Sequence, residues 1–312
     1  MFIRKTIFLP FLGAFFVFGL LFAPNIASAD GISVSPLTFE LGANPGEQVA
    51  NVLRVFNTSD TELLVELEVE NFSPVGEEGR VAIEPIDTEV FSLAHWISIE
   101  PMVVFIPPHE FVPVEFTISV PSSAEPGGHY ASILAKLSGS APSGSGATIV
   151  QKVGSLVLLY VVGEVREELN IASMDIPDFS EYGPVTIATR FQNTGSVHLK
   201  PRGFISVRNM FGTEVAKLDL DQKNVLPDSI RKIDTEFNAN FLFGKYTATM
   251  TAIYGSKNEP LSYSTSFWII PWKITSGVGF GTLFLLSLLF LARKRIGLAF
   301  TILFKGEHKT RI

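Results

Sequence analysis

The segment LLVELEVE, residues 63–70, alternates apolar and acidic side chains. Successive side chains of a β-strand point to opposite faces, so this period of two indicates a strand with one buried face and one acidic, solvated face. The same alternation recurs at 112–120 and 246–254, and more weakly at 185–191. Helical periodicity is nearly absent from residues 30–272, which predicts an all-β fold for that part of the chain.

Turn-forming residues separate these runs at short intervals. Gly, Pro, Asn and Asp cluster at 44–46, 57–60, 125–128, 193–195 and 209–212. Short strands with such spacing are typical of antiparallel β-sandwiches of the Ig-like class. About 240 residues are enough to build two cores of ordinary size, so two tandem sandwiches are predicted.

A polar run, SGSAPSGSG at residues 138–146, has the composition of a flexible linker. We interpret it as a long hairpin loop inside the first domain, because the nearly all-apolar run at 153–162 is typical of a strand covered on both faces. That strand would pair with the one at 131–137. The first domain then spans 30–165 and the second 166–272, and a boundary at the loop itself is the alternative.

The N-terminus has the three parts of a secretory signal. Basic residues at 4–5 precede an apolar run at 7–22, and Ala27 and Ala29 form the small-residue site that a signal peptidase cleaves. This pattern predicts a signal peptide over residues 1–29. An uncleaved N-terminal anchor is the alternative.

A second apolar segment lies near the C-terminus. Residues 274–292 carry no charge and are followed by the basic cluster 293–295. This length suits a transmembrane helix, predicted over 273–293, and the basic cluster is expected to stay in the cytoplasm. The chain is therefore predicted to cross the cell membrane once, with its sandwiches outside and a basic cytoplasmic tail, 294–312, inside.

Small and aromatic residues mark this segment. Gly277 and Gly281 form a GxxxG pattern, which permits close helix contact and a possible homodimer, although glycine is also common in membrane helices that do not associate. Trp268 and Trp272 are expected at the outer membrane interface, where amphipathic rings are enriched. The second domain would then lie close to the bilayer.

Charge is distributed unevenly along the chain. The net charge is −7, with 24 basic and 31 acidic residues, but residues 30–272 hold 15 basic and 30 acidic residues. From Arg293 onwards there are six basic residues and one acidic residue. An acidic outer part argues against nucleic acid as a partner, and the basic tail is where anionic headgroups would be met.

No constellation of residues demands catalysis. The chain has no cysteine, which excludes disulfides and Cys-based zinc sites, and only five histidines, none in an HExxH pattern. Neither GxSxG nor a phosphate-binding glycine loop is present. We predict a non-catalytic protein with no catalytic, cofactor-binding or metal-binding residues. An envelope enzyme whose site is assembled across strands is the alternative.

Three local features have both a structural and a functional interpretation. His129 and Tyr130 follow the turn at 125–128, so Tyr130 either packs over the end of the sandwich or contacts a partner together with His129. Trp96 is either a buried sandwich tryptophan or a binding platform. Asn57 begins a formal glycosylation sequon that is equally a connector between strands.

The order of these motifs resembles bacterial cell-surface proteins of the WxL-interacting protein type. In the first domain the resemblance rests on 35–36, 45–47, 55–59, 96–97, 106–108 and 121–130. In the second it rests on 193–195, Gly203, 226–227 and 267–272. The resemblance implies a PapD-like first domain and the order signal peptide, two sandwiches, membrane helix and basic tail. No functional residue is carried over from it.

The resemblance also implies a class of partner. In that family the first domain is associated with peptidoglycan and the second with host proteins. We therefore expect a membrane-anchored surface protein that binds an extracellular protein or a peptidoglycan or other cell-wall component. The acidic outer part favours a protein. An accessory subunit that assembles in a membrane complex through its transmembrane helix is the alternative function.

Overall fold

The computed structural model describes residues 31–84, 91–138, 151–238 and 243–304. The predicted signal peptide with Ala27 and Ala29, and nearly all of the loop 138–146, lie outside the described residues. The described chain forms two compact units. The first contains residues 31–72, 83–125 and 129–161, and the second contains 73–82, 126–128 and 162–304.

Ten strands build the first sandwich. They are β1 (Ile32–Ser35), β2 (Thr38–Ala43), β3 (Gln48–Asn57), β4 (Leu63–Val75), β5 (Arg80–Glu84), β6 (Ile97–Glu100), β7 (Val103–Ile106), β8 (Phe111–Ser119), β9 (Gly127–Leu137) and β10 (Lys152–Val161). One sheet has the order β1-β3-β8-β6, and the other has the order β2-β10-β9-β4-β5, with β7 paired to the start of β4. The predicted neighbours β9 and β10 are confirmed.

Alternation along the strands produces the first core. On β4, Val65 and Leu67 are buried while the intervening glutamates are half-exposed, as the period of two predicts. On β8, Phe116 is 1 % exposed and meets Phe39 from the other sheet edge-on, with ring centroids 5.0 Å apart. A domain without disulfides depends on apolar burial of this kind for its stability.

Eight strands build the second sandwich. They are β11 (Leu169–Asp175), β12 (Phe179–Ser180), β13 (Val185–Asn193), β14 (Arg202–Asn209), β15 (Glu214–Asp219), β16 (Ser229–Phe237), β17 (Gly244–Tyr254) and β18 (Glu259–Ile269). The sheets have the orders β11-β13-β16 and β12-β18-β17-β14-β15. The alternating runs at 185–191 and 246–254 lie in β13 and β17, as the sequence predicts. Strand β12 escapes prediction because two residues are too few to show a period.

The C-terminal helix α1 spans Trp272–Phe304 and follows β18 after two residues. Its first 22 residues, Trp272–Arg293, have a mean hydropathy of 2.0, so they are long and apolar enough to cross a membrane. The helix continues through the basic cluster without a break. The predicted fold class, two tandem Ig-like β-sandwiches followed by one apolar helix, is confirmed for the described residues.

Candidate functional site

A groove of 620 Å³ opens on one side of the first sandwich. One wall is residues 66–70 of β4, and the other is residues 97–100 of β6 together with Ala94 and Met102. The buried side chains of Leu67 and Ile99 close its floor. A volume of this size lies in the range of ordinary ligand pockets.

The groove exists because the chain changes sheets between β6 and β7. Strand β6 belongs to the four-stranded sheet, whereas β7, which begins three residues after β6 ends, pairs with β4 in the opposite sheet. The crossing is held by a hydrogen bond from the backbone N–H of Leu67 to the carbonyl oxygen of Met102, at 2.7 Å. The two walls therefore come from different sheets at one open side of the sandwich.

Strand β6 presents an open edge beside this groove. Its residues Ile97–Glu100 pair with β8, and no other described strand pairs with β6. An edge strand exposes a row of backbone N–H and C=O groups, which can pair with an added strand from another chain. The groove therefore adjoins a backbone surface that can accept hydrogen bonds and donate them.

Exposed apolar side chains line the approach to the groove. Met102 is 65 % exposed, Val103 is 47 % exposed and Phe105 is 64 % exposed. Val103 and Phe105 alternate along β7 with the buried Val104 and Ile106, so both lie on its outer face. Neighbouring exposed apolar residues of this size are more typical of an interaction surface than of plain solvent contact.

Part of the acidic row on β4 is neutralised by lysines. Nζ of Lys152 donates to Oε2 of Glu68 at 2.6 Å, and Nζ of Lys136 donates to Oε1 of Glu68 at 3.1 Å. Lys136 also lies 3.4 Å from Oε2 of Glu66. The hydrogen bond from Lys152 has the largest effect on the pKa of Glu68, and burial opposes it. Together with the smaller effect of the hydrogen bond from Lys136, it holds this pKa below its usual value.

Two other carboxylates at the groove have no such neutralisation. Glu70 and Glu100 line it and form no ion pair within the described part of the chain. Glu100 also stands directly opposite Glu115 of β8 in the antiparallel register. Like charges directly opposite one another are unfavourable, and they concentrate negative potential at the open edge of β6.

The structure gives Tyr130 a packing position. Tyr130 is 3 % exposed, and its ring centroid lies 5.9 Å from that of Phe72 and 6.1 Å from that of Phe91. A ring enclosed to this degree presents no surface to a partner. Of the two interpretations of this residue, packing over the end of the sandwich is the one that the geometry supports.

His129 and Trp96 form a tilted pair of rings in contact with each other. Their ring centroids are 4.4 Å apart, and both side chains are half-buried. Nδ1 of His129 lies 3.1 Å from the carbonyl oxygen of Ser92, and Nε2 lies 3.0 Å from that of Glu125. These contacts fix the imidazole in place.

The remaining predictions concern the GxxxG pattern of the helix and metal binding. Gly277 and Gly281 lie on the exposed surface of α1, where an added Cβ would meet no atom within 4 Å, and helix association there stays a prediction. Among the described residues, no group of three or more His, Asp or Glu side chains could hold a metal ion.

Sequence reasoning missed the groove, although one of its walls left a trace in the sequence. Ile97 and Ile99 alternate with Ser98 and Glu100, which is a short strand pattern. Nothing in that pattern reveals that β6 ends its sheet or that β4 lies across from it. The open edge depends on strand order, which the tertiary fold sets.

The sequence matches no known family model and no curated protein. Solved structures that resemble the chain are PapD-like. The class 5 fimbriae chaperone CfaA is 14 % identical, with a TM-score of 0.39 over 75 % of this chain and 99 % of that chain. The CupB2 chaperone of Pseudomonas aeruginosa is 10 % identical, with a TM-score of 0.35 over 74 % of this chain and 98 % of that chain.

A PapD-like domain of human CEP192 is 13 % identical, with a TM-score of 0.29 over 43 % of this chain and 86 % of that chain. These structures come from bacterial and human proteins of different kinds. Likenesses at this level concern the β-sandwich fold and say nothing about a shared partner.

Proposed function

We propose that this chain is a membrane-anchored, non-catalytic binding protein of the bacterial cell surface that holds an extended segment of a protein partner in the groove of its first sandwich. One observation carries the proposal. The open edge of β6 runs along a 620 Å³ groove whose floor is apolar. A backbone edge and a side-chain groove in one place are the two parts that strand addition requires.

Strand addition would use both parts. The backbone of an extended segment pairs with the four residues of β6, which supplies affinity without regard to sequence. Alternate side chains of that segment then point towards the groove, where Leu67 and Ile99 form an apolar floor. This arrangement favours a polypeptide over a glycan, because a glycan lacks the regular N–H and C=O groups that a strand edge pairs with.

The residues around the groove indicate which side chains the bound partner segment should carry. Exposed Met102 and Phe105 favour apolar side chains, while Glu70 and Glu100 favour lysine or arginine. We therefore propose a partner segment in which apolar and basic residues alternate. Charge complementarity of this kind raises the association rate and selects among partners more than it adds affinity.

The anchor is α1. Its 22-residue apolar part is about 33 Å long at about 1.5 Å per residue, which matches a hydrocarbon core of about 30 Å. The basic cluster after residue 292 supports a cytoplasmic C-terminus, by the positive-inside rule. The same order of segments occurs in the WxL-interacting proteins that the sequence resembles, so a position outside the cytoplasm is proposed for both sandwiches.

A cross-linking experiment tests the groove. The chain has no cysteine, so Ser98→Cys on the exposed face of β6 gives the full-length protein a single attachment point for a photoactivatable benzophenone. The probe is a capped hexapeptide of alternating valine and lysine. We expect capture of this peptide at position 98 and little capture from Asn170→Cys, an equally exposed position on β11.

Charge removal gives a second readout. Replacing both Glu70 and Glu100 with Gln should weaken binding of the valine–lysine peptide several-fold at low salt, whereas Glu236→Gln on β16 should not. Equal capture from positions 98 and 170, or equal binding of a valine–glutamate peptide, would refute the proposal.

The alternative function, an accessory subunit assembled through α1, has one observation in its favour. Gly277 and Gly281 lie on the exposed helix surface, where another helix could approach closely. Replacing both with Leu separates the two functions. A helix that serves only as an anchor keeps peptide binding and cellular function after this change, and a helix that assembles a complex loses function while the groove still binds.

A further inference from the structure

Six large apolar side chains are exposed at the end of the second sandwich from which α1 emerges. We infer that this end face rests on the outer leaflet of the membrane, with its apolar side chains among the lipid headgroups. The inference depends on the membrane insertion of α1 proposed above. The end face is defined as Phe179, Tyr182, Met210, Phe211, Phe243 and Trp268.

Strand register places these residues at one end of the sheet. Strand β18 ends at Ile269, which pairs with Gly244 at the start of β17. Tyr246, two residues further along β17, pairs with Asn209 at the end of β14. Phe179 of β12 runs parallel to the end of β18, opposite Trp268. The β14–β15 turn, the start of β17 and the residues after β12 therefore meet at the end where β18 leads into α1.

The exposure of this end face is unusually large for apolar residues. Phe211 is 84 % exposed, Phe243 is 60 % exposed and Met210 is 50 % exposed. The exposed fractions of Phe179, Tyr182 and Trp268 are 49 %, 48 % and 46 %. Single exposed apolar residues are common, but a group at one end of a domain marks a surface that is covered in the functional state.

The β14–β15 turn holds its two apolar residues outward in a fixed geometry. Oδ1 of Asn209 accepts hydrogen bonds from the backbone N–H of Phe211 and of Thr213, each at 3.0 Å. Gly212 supplies the left-handed conformation that the turn needs, with φ of 80°. Phe211 is therefore held at the tip of an ordered turn.

The junction with α1 brings this face to the membrane surface. Only two residues separate β18 from α1. Three extended residue steps, from Ile269 to Trp272, span about 10 Å at about 3.3–3.6 Å each. Each headgroup region is about 5–8 Å thick beyond the hydrocarbon core. A domain whose last strand ends so close to the first apolar turn of the helix reaches the headgroups.

Contacts at the junction restrain it. Nζ of Lys273 donates to Oε2 of Glu181 at 2.8 Å, which ties the first turn of α1 to the residue after β12. The N–H of Trp268 donates to the carbonyl oxygen of Asp178 at 2.9 Å, and the N–H of Ile270 donates to that of Ser180 at 3.0 Å. The start of the helix and the end face thus belong to one connected network.

A lipid surface fits the chemistry of the end face better than a protein does. Trp and Tyr have amphipathic rings that favour the headgroup level, and Phe and Met add apolar area there. The face is continuous with a helix whose own first residue, Trp272, is 52 % exposed. At the opposite end of the β17–β18 hairpin, the turn at residues 255–258 consists of small and polar residues.

Spin labels at single cysteines test the inference in the full-length protein, reconstituted in phosphatidylcholine vesicles. The labelled positions are Phe211→Cys and Phe243→Cys on the end face, Leu285→Cys in the middle of the apolar part of α1, and Lys257→Cys at the opposite hairpin turn. We expect a several-fold higher ratio of oxygen to nickel-chelate accessibility at 211 and 243 than at 257, with the highest ratio at 285.

Each outcome decides a separate point. A label at 285 that is open to the nickel chelate refutes the insertion of α1 and with it the inference. If the label at 285 is inside the membrane but the accessibility ratios at 211 and 243 are as low as the ratio at 257, the inference is overturned and the insertion of α1 stands. Labels at 211 and 243 that are shielded from both reagents indicate a protein contact, which also overturns it.

Discussion

Asn57 and Asn193 occupy equivalent places in the two sandwiches, each as the last residue of its strand, β3 or β13. Asn57 is 2 % exposed. Its Nδ2 donates to the carbonyl oxygens of Thr61 at 2.7 Å and Ile106 at 2.9 Å, and its Oδ1 accepts from the N–H of Ser59 at 2.8 Å. An amide enclosed in this way is a connector between strands and is closed to glycan attachment.

Asn193 repeats this pattern. It is fully buried, its Nδ2 donates to the carbonyl oxygens of Val197 and Val225, both at 2.8 Å, and its Oδ1 accepts from the N–H of Gly195 at 2.9 Å. In each sandwich, the amide of one asparagine forms hydrogen bonds with the turn after its own strand. It also donates a hydrogen bond to the backbone of a distant segment that crosses the end of the sheet. A buried side chain with this many backbone partners is expected to contribute strongly to stability.

Removing one of these amides should destabilise its sandwich. Asn57→Ala removes the hydrogen bonds that its amide donates to the carbonyl oxygens of Ile106, Pro107 and Thr61 and those that it accepts from Ser59. Because Ile106 and Ser59 lose partners in a buried place, we expect a loss of about 2–3 kcal/mol in the free energy of unfolding. The measurement is urea unfolding of the full-length protein in detergent, followed by the fluorescence of Trp96 after Trp268 and Trp272 are replaced with Phe. Asn170→Ala, at an exposed position, should change the midpoint little, and an equal effect of both changes would argue against this role.

The ion pairs of Glu68 should make stability depend on pH. The pKa of Glu68 is below its usual value in the folded protein, so its contribution is present above the unfolded pKa of about 4.3 and is lost as pH falls through the lower folded pKa. We expect Glu68→Gln to cost up to about 1 kcal/mol at pH 7 and progressively less as the pH falls below about 4.3. Unfolding of both proteins from pH 3 to 7 measures this difference, and a pH-independent difference would contradict the role of the lysines.

The core of the first sandwich should be sensitive to truncation at Phe116. This residue is 1 % exposed and packs edge-on against Phe39. Phe116→Ala should lower the free energy of unfolding by about 3–5 kcal/mol, because it removes apolar burial and leaves a cavity. Phe105→Ala is the matched control, since Phe105 is 64 % exposed, and we expect it to stay within about 0.5 kcal/mol of the parent protein.

The junction between the second sandwich and α1 can be probed through Glu181. The hydrogen bond from Lys273 is the main cause that lowers the pKa of Glu181 below its usual value, against a smaller effect of burial. Lys273→Met should therefore raise the pKa of Glu181. Carbon-13 NMR of the glutamate carboxyls measures this shift, with Lys257→Met as a control. An unchanged titration of Glu181 would show that the junction contact does not form in solution.

Much of the fold follows from local patterns in the sequence. The alternation at 63–70 correctly predicts which face of β4 is buried, because the period of side chains along a strand is set by backbone geometry alone. The apolar run at 153–162 correctly predicts a strand inside the first sandwich, because a strand covered on both faces has no polar side to show. Turn residues at 57–60 and 193–195 mark real connections.

The candidate site does not follow from these patterns. Ser98 and Glu100 look like ordinary outward residues of a short strand, and their importance comes from the terminal position of β6 in its sheet. The sequence allows Tyr130 either to pack over the end of the sandwich or to contact a partner, and the fold shows that it is buried against Phe72. Which residues meet across a fold depends on long-range packing, about which a local pattern carries no information.

The sequence by itself determined the class of structure: strands rather than helices, two modules rather than one, and an apolar segment near the C-terminus. Each of these follows from the periodicity and length of apolar runs, which act over a few residues. Only the tertiary structure decided the open edge of β6, the groove opposite β4 and the gathering of apolar side chains from Phe179 to Trp268 at one end of the second sandwich. Those features depend on strand order and register, because contacts between residues far apart in the chain form only when whole sheets pack together.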